Sequence, residues 1–171
     1  MFGTIQQWLN ALTTPRDQQT LKSMLFPLAD RYSSLVFGSA GLAIKAGGSA
    51  LVKAGTAFYA IANGTLVTKA ANTDMAALSG TVANAAFNVF CFDIDSAGTL
   101  TTSMGTAGAT LAAVKFPPLV EKKARIGFVV INPTGTGDFV GGTTALDDGT
   151  VTPNAAYVNC TAPFDPTVIL N

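Results

Sequence analysis

The chain has 171 residues, an apolar fraction of 49% and a charged fraction of only 12%; ten basic and ten acidic side chains leave a formal net charge of zero. That length suffices to bury a core without disulfides or metals, but the chain lacks the surplus of Lys and Arg that displaces counterions from nucleic acid. It has no histidine, and Glu121 is its only glutamate, which removes the imidazole base and every Ser-His-Asp or Cys-His arrangement.

The first part of the chain has a helical pattern. Ile5, Trp8, Leu9 and Leu12 recur at i, i+3, i+4 and i+7, the stripe of an amphipathic helix. Thr14-Pro15 restarts the pattern, with Asp17 placed where the helix dipole favours it. Leu21, Met24, Leu25 and Leu28 continue an apolar face, and Pro27 is expected to kink or end it. Residues 4–30 therefore read as two short helices. Helices this short are marginal alone in water, so the arm must pack on something. It covers one end of its own β-domain, or it docks on a neighbouring subunit through Trp8, Leu12 and Phe26.

From Leu35 onward the punctuation is that of an all-β chain. Residues 57–62 predict a strand, then Asn63-Gly64, then a second strand over 65–69; Asn-Gly is the preferred pair for a two-residue type I′ turn. Residues 72–80 form a loop. Residues 86–95 predict a strand apolar on both sides, with Phe87, Val89 and Cys91 facing one way and Phe90, Phe92 and Ile94 the other. Ser96-Ala97-Gly98 turns it into 99–102. Residues 105–109 read as a flexible connection and 110–116 as a further strand closed by Pro117-Pro118. Glu121-Lys122-Lys123 reads as a solvated turn. The run Ile126, Phe128, Val129, Val130 and Ile131 predicts a strand buried on both faces. Asn132-Pro133 ends it, Gly135 and Gly137 continue the turn, and Phe139-Val140 completes what reads as a β-hairpin core. Residues 157–159 predict a last strand, and 163–171 a tail strand or docking segment.

Three constellations invite a chemical reading. Asp93-Ile94-Asp95-Ser96-Ala97-Gly98 resembles the start of a calcium loop but lacks the later bidentate Glu, and it falls where a hairpin turn is needed. Asp147-Asp148-Gly149 offers paired carboxylates, but neighbours on an extended chain point to opposite sides and flank no single bond. The glycines of 135–142 are not followed by GK[ST] or by a helix, so they make no phosphate loop. Cys91 and Cys160 show no metal-type spacing; Cys91 reads as a small core residue, and pairing between the two stays open. No signal peptide is evident. The longest candidate for a membrane span, 35–62, is interrupted by Lys45 and Lys53.

Together these features predict a mainly β fold, an antiparallel, jelly-roll-like β-sandwich over 35–171 with a short helical N-terminal arm over 1–34. Zero net charge and a mean hydropathy of +0.40 suit a surface covered by neighbouring subunits. The expected assembly is a homo-oligomer such as a trimer or dimer.

Three segments carry a resemblance: AFYAIANGTLVTKA at 57–70, CFDIDSAGTLTTSMGTA at 91–107, and ARIGFVVINPTGTGDFVGGTTALDD at 124–148. The third is the most specific, an I-G-x-V-V-I strand with a distal F-x-x-G-T-T-x-L-D. Across residues 56–159 the chain resembles a family of small β-sandwich structural proteins of tailed-bacteriophage virions, of the capsid-decoration or head-fibre type. The resemblance implies a β-sandwich that decorates or builds part of the particle, with no catalysis; the charge balance and the interrupted apolar stretch add the expectation of no nucleic-acid or membrane partner, and no cofactor is expected. Its partners would be the major capsid protein or neighbouring subunits. The alternative is a tail-fibre or adhesin-like module that binds host surface glycan, and an exposed cluster of aromatic and polar residues would favour it.

Overall fold

The computed structural model describes residues 15–161; Trp8, Leu12 and the tail 163–171 lie outside them. Helix α1 (Pro15–Ser33) opens the described chain. Proline suits its first position because the missing amide has no helical partner there. Pro27 does not end the helix, which runs on to Ser33. A proline inside a helix deletes one amide donor and strains the preceding turn, at about 3 kcal/mol; the residues on either side keep helical geometry.

Eleven strands follow among the described residues. They are β1 (Leu35–Phe37), β2 (Leu42–Ile44), β3 (Val52–Ala54), β4 (Phe58–Ala62), β5 (Thr65–Lys69), β6 (Thr81–Val82), β7 (Asn88–Ile94), β8 (Leu100–Met104), β9 (Ala124–Ile131), β10 (Phe139–Val140) and β11 (Ala156–Asn159). Among the described residues the fold is mainly β, with four antiparallel sheets in the orders β11-β9-β7-β8, β1-β4-β5, β2-β3 and β10-β6, and no barrel.

The largest sheet is built on β7 and β9. All seven residues of β7 are buried, as are seven of the eight in β9, because both faces of this sheet are covered. On one face Phe90, Phe92, Ile94, Ile126 and Ile131 share a core with Val36, Phe58 and Ala60 of the three-stranded sheet and with Val82 and Phe139 of the small β6–β10 pair. On the other face Val89, Cys91, Phe128 and Cys160 pack with Val114 and Phe116, and Phe116 meets Phe128 edge to face at 4.8 Å. The alternation read from the sequence along β7 thus sorts its side chains into two cores. A bulge where Asp93 pairs with Arg125 sets Ile126 apart from the pairing and re-aims the strand. At Gly127 a Cβ would sit 2.3 Å from the Val158 carbonyl and 2.6 Å from Leu42 Cδ1, so only glycine lets the β11 backbone and β2 close on β9.

Three further expectations are corrected. The stretch 124–140 is not a hairpin: β9 pairs with β7 and β11, and β10 pairs with β6. After β9 the chain runs antiparallel to residues 150–153, with Asn132, Thr134, Gly135 and Thr136 donating amide protons to Pro153, Thr152, Val151 and Thr150. Residues 110–116 are not a strand. Leu111–Ala113 form a 3₁₀ turn, which lowers Val114 and Phe116 onto the second core. Residues 105–109 are no loose connection either, since Gly108 bridges Phe87 and Thr106 bridges Lys115.

The β4–β5 turn follows its sequence signature. Asn63 and Gly64 both have positive φ, 50° and 76°, as a type I′ turn requires. Its tip also holds the end of α1: the Gly64 amide donates to the Ser33 carbonyl at 3.0 Å, and the Asn63 amide donates to Ser34 Oγ at 3.1 Å.

Candidate interaction surface

Each candidate reaction centre is engaged in holding the fold. Asp93, a residue of β7, forms a two-pronged pair with Arg125 of β9, Nε to Oδ1 at 2.8 Å and Nη2 to Oδ2 at 3.2 Å. The two side chains are 3% and 1% exposed, so neither is open to a ligand. Arg125 Nη1 also donates to the Pro117 carbonyl at 3.3 Å, which fastens the strap over the second core. Burial alone would lower the Arg125 pKa, but its hydrogen bonds to Asp93, together with the electrostatic influence of Cys91, Asp93 and Cys160, outweigh burial and raise it.

Asp95, two residues on, shapes the β7–β8 turn. Its Oδ1 accepts the amides of Thr99 at 2.8 Å and Ala97 at 3.0 Å. The Thr99 bond, with further help from Ala97 and Lys123, holds its carboxyl below the ordinary value. The calcium-like spelling therefore folds as a buried ion pair followed by a turn.

Asp147 and Asp148 also diverge. Asp147 accepts the Gly48 amide at 3.0 and 3.1 Å, while Asp148 Oδ1 accepts those of Thr150 and Val151, both at 2.7 Å. Each carboxylate braces a different loop. The glycine-rich 135–142 segment packs on its own neighbours: Asn84 donates its side-chain amide to the Gly135 carbonyl and its backbone amide to Asp138 Oδ1. Among the described residues no group of three or more Cys, Asp or Glu side chains gathers to hold a metal ion, and no helix is long and apolar enough to cross a membrane.

Cys91 and Cys160 are both free and buried. Cys91 pairs with Phe128 on one side of β9, and the Cys160 amide donates to the Ile126 carbonyl from the other. Two strand spacings of about 4.8 Å separate them, beyond the roughly 7 Å that a disulfide spans between Cα atoms. Pairing, left open by the sequence, would require β9 to move aside. Burial pushes the Cys91 thiol up to about 12 and the Cys160 thiol up to about 11, so both are inert thiols.

The feature left uncovered is the outer face of the three-stranded sheet. Along β4 the side chains alternate: Phe58, Ala60 and Ala62 are buried, while Tyr59 and Ile61 point away. The register extends this into two rows, Leu35–Ile61–Leu66 and Phe37–Tyr59–Thr68. Leu66 is 65% exposed, Tyr59 52% and Phe37 47%. Five apolar side chains and one threonine thus form a contiguous patch with no charge, since directly opposite residues on paired strands have Cβ atoms about 5 Å apart. Each large apolar side chain left in water forgoes about 1.5–3 kcal/mol of burial. Lys69, on the inner side of β5, lies over Gly98 of the β7–β8 turn instead.

Helix α1 runs directly into this sheet. Its described side chains are exposed or half-buried, among them Leu25 at 43% and Tyr32 at 67%. Phe26 stands on α1; Trp8 and Leu12 lie outside the described residues. The sequence placed candidate contact residues on the arm and missed the sheet face beside it. The signal was present: with Asn63-Gly64 fixing the register, Tyr59, Ile61, Leu66 and Thr68 must share one side.

Comparison with protein families, with curated proteins and with solved structures returned no match.

Proposed function

We propose that this chain is a structural subunit of a tailed-bacteriophage virion, a capsid-associated decoration or head-fibre-type protein that works through protein–protein contacts and performs no catalysis. In this reading it is made in the host cytoplasm, resides in the virion and takes the major capsid protein or neighbouring subunits as partners. It needs no cofactor, nucleic acid or membrane. The four-stranded sheet and the smaller sheets that share its core are the two layers of a jelly-roll-like sandwich.

The observation that carries the reading is the uncharged apolar face of β1, β4 and β5. A contiguous apolar patch on a surface otherwise mixed in polarity marks a contact with another protein. The three sequence segments that resemble virion proteins supply the kind of particle. The test is co-sedimentation of the purified chain with capsids that lack it. The chain is expected to pellet with capsids and to stay in solution without them; a chain that never pellets overturns the reading.

One observation favours a second reading. Phe37 and Tyr59 stand side by side and exposed, and aromatic faces of this kind can stack on sugar rings, as a tail-fibre or adhesin-like module binding host glycan would need. Their neighbours are Leu35, Ile61 and Leu66, which cannot hydrogen-bond the hydroxyls that give a sugar site its specificity. Retention on host envelope glycans with no retention on capsids would establish the adhesin.

A further inference from the structure

We propose that Asn63-Gly64, at the tip of the β4–β5 hairpin, is a site of spontaneous deamidation, and that the end of α1 holds it in check by engaging the nitrogen that would attack. The inference does not depend on the virion reading.

The chemistry needs only these two residues and water. Asn63 is the one asparagine of the chain followed by glycine. A following residue without a side chain lets its amide nitrogen close on the asparagine side chain with least hindrance. In the first step the Gly64 nitrogen gives up its proton and bonds to Asn63 Cγ, the Cγ–Nδ2 bond breaks, and the side-chain nitrogen leaves as ammonia. The resulting succinimide ring takes up one water. It opens at one carbonyl to aspartate, or at the other to isoaspartate, in which the backbone runs through the side chain. Both residues are exposed, and a Cβ placed on Gly64 would meet nothing within 4 Å, so water reaches the site. Asn88, by contrast, is 1% exposed, and Asn132 precedes a proline, which has no N–H to lose.

The structure occupies the attacking nitrogen. The Gly64 amide donates to the Ser33 carbonyl at 3.0 Å, and the Asn63 amide donates to Ser34 Oγ at 3.1 Å. The hairpin pairing stops at Ala62 opposite Thr65, so the partner of the Gly64 amide comes from the helix end. A proton shared with a carbonyl is harder to remove. The two bonds also fix the turn, with φ of 50° at Asn63 and 76° at Gly64. Ring closure therefore requires Ser33 and Ser34 to let go first.

The product in turn loosens the hold. Aspartate puts a negative charge beside the carbonyl end of α1, where the helix dipole disfavours it. Isoaspartate adds a backbone atom to a two-residue loop whose length sets the turn type and the β4–β5 register. Release of α1 and modification of Asn63 therefore promote each other, and the covalent step does not reverse.

The experiment incubates the full chain in mildly alkaline buffer and reads conversion at Asn63 by tryptic mapping, where the site falls in the peptide 54–69 that follows Lys53 and ends at Lys69. Four samples are compared: the native chain, the same chain in guanidinium chloride, Ser34→Pro and Ser34→Ala, with circular dichroism reporting folding. The unfolded chain is expected to convert at Asn63 faster than at any other asparagine. The folded native chain should convert about tenfold or more slowly than that, the protection that two hydrogen bonds supply. Ser34→Pro removes the Oγ and disfavours helical geometry at Ser33, so a folded Ser34→Pro chain should convert several-fold faster than the native one. Where it fails to fold, Ser34→Ala decides: it removes only the Oγ and should convert about twofold to tenfold faster than the native chain, as one lost hydrogen bond allows. No conversion at Asn63 in the unfolded chain overturns the site. A native chain that converts as fast folded as unfolded, or a folded Ser34→Ala chain that converts at the native rate, overturns the role of α1. Converted chain should also be cut by trypsin within α1, after Lys22, faster than unconverted chain; equal cutting overturns the loosening.

Discussion

The two larger sheets of this molecule treat their surfaces in opposite ways. The four-stranded sheet around β7 and β9 has apolar side chains on both faces and covers both. The three-stranded sheet of β1, β4 and β5 also has apolar side chains on both faces, yet covers one. In the first sheet a two-sided apolar strand reports an interior position. In the second the same pattern leaves one apolar face exposed. Strand composition alone does not separate the two cases; what lies beyond each face does.

The largest expected effect tests the closed sheet. Arg125→Ala would leave Asp93 buried beneath the second core with its paired charge gone, and should destabilise the chain by ~3–5 kcal/mol. Replacing the pair together, Asp93→Leu with Arg125→Met, should recover most of that loss, because an apolar pair of similar volume needs no desolvated charge. Urea unfolding monitored by circular dichroism measures both. A single variant within about 0.5 kcal/mol of the native chain, the range of an ordinary surface change, would show that the pair is not buried as described.

The next effect sharpens the comparison on a single strand. Phe58 is 1% exposed and Tyr59 beside it 52%. Phe58→Ala should cost ~3–5 kcal/mol through lost burial and the cavity left behind. Tyr59→Ala, measured at dilution where chains do not associate, should change stability by no more than about 0.5 kcal/mol. Equal losses at the two positions would mean that the outer face is covered within the chain, and the contrast between the sheets would disappear.

Much of this contrast was legible in the sequence where it depended on local geometry. The Asn63-Gly64 turn was readable because a two-residue type I′ turn is a property of those residues alone. The facing of Val89 and Cys91 against Phe90 and Phe92 followed from the two-residue period of a strand. Pairings between distant segments were not readable. Phe139-Val140 lies close in sequence to β9 but pairs with Thr81-Val82, and nothing in either short run specifies a partner so far away. Residues 110–116 have the apolar content of a strand, yet Gly108 lets the backbone at Ala113 and Val114 approach within 2.7–2.8 Å of its missing Cβ, and the chain coils there instead. The exposed outer face of the three-stranded sheet was hidden for a related reason. Tyr59 and Ile61 look like core residues until the register and the other sheets show which side is filled.

The smallest effect compares two carboxylates two residues apart, one on each side of the boundary between interior and surface. Asp93 is enclosed with Arg125, whereas Asp95 sits in the open β7–β8 turn and accepts the Thr99 and Ala97 amides. Those bonds, Thr99 first, lower the Asp95 pKa below 3.8. A carboxylate depressed in the folded state adds stability above its unfolded pKa and loses it as the pH falls through its folded pKa. Asp95→Asn keeps an oxygen that accepts both amides but removes the charge that titrates. The native chain should therefore be slightly more stable than the variant near neutral pH, and the gap should close as the pH falls below 3.8. Urea midpoints of both chains at neutral and acidic pH measure it. A gap that stays constant across that range would show that the turn is held by geometry alone, with no contribution from the charge on Asp95.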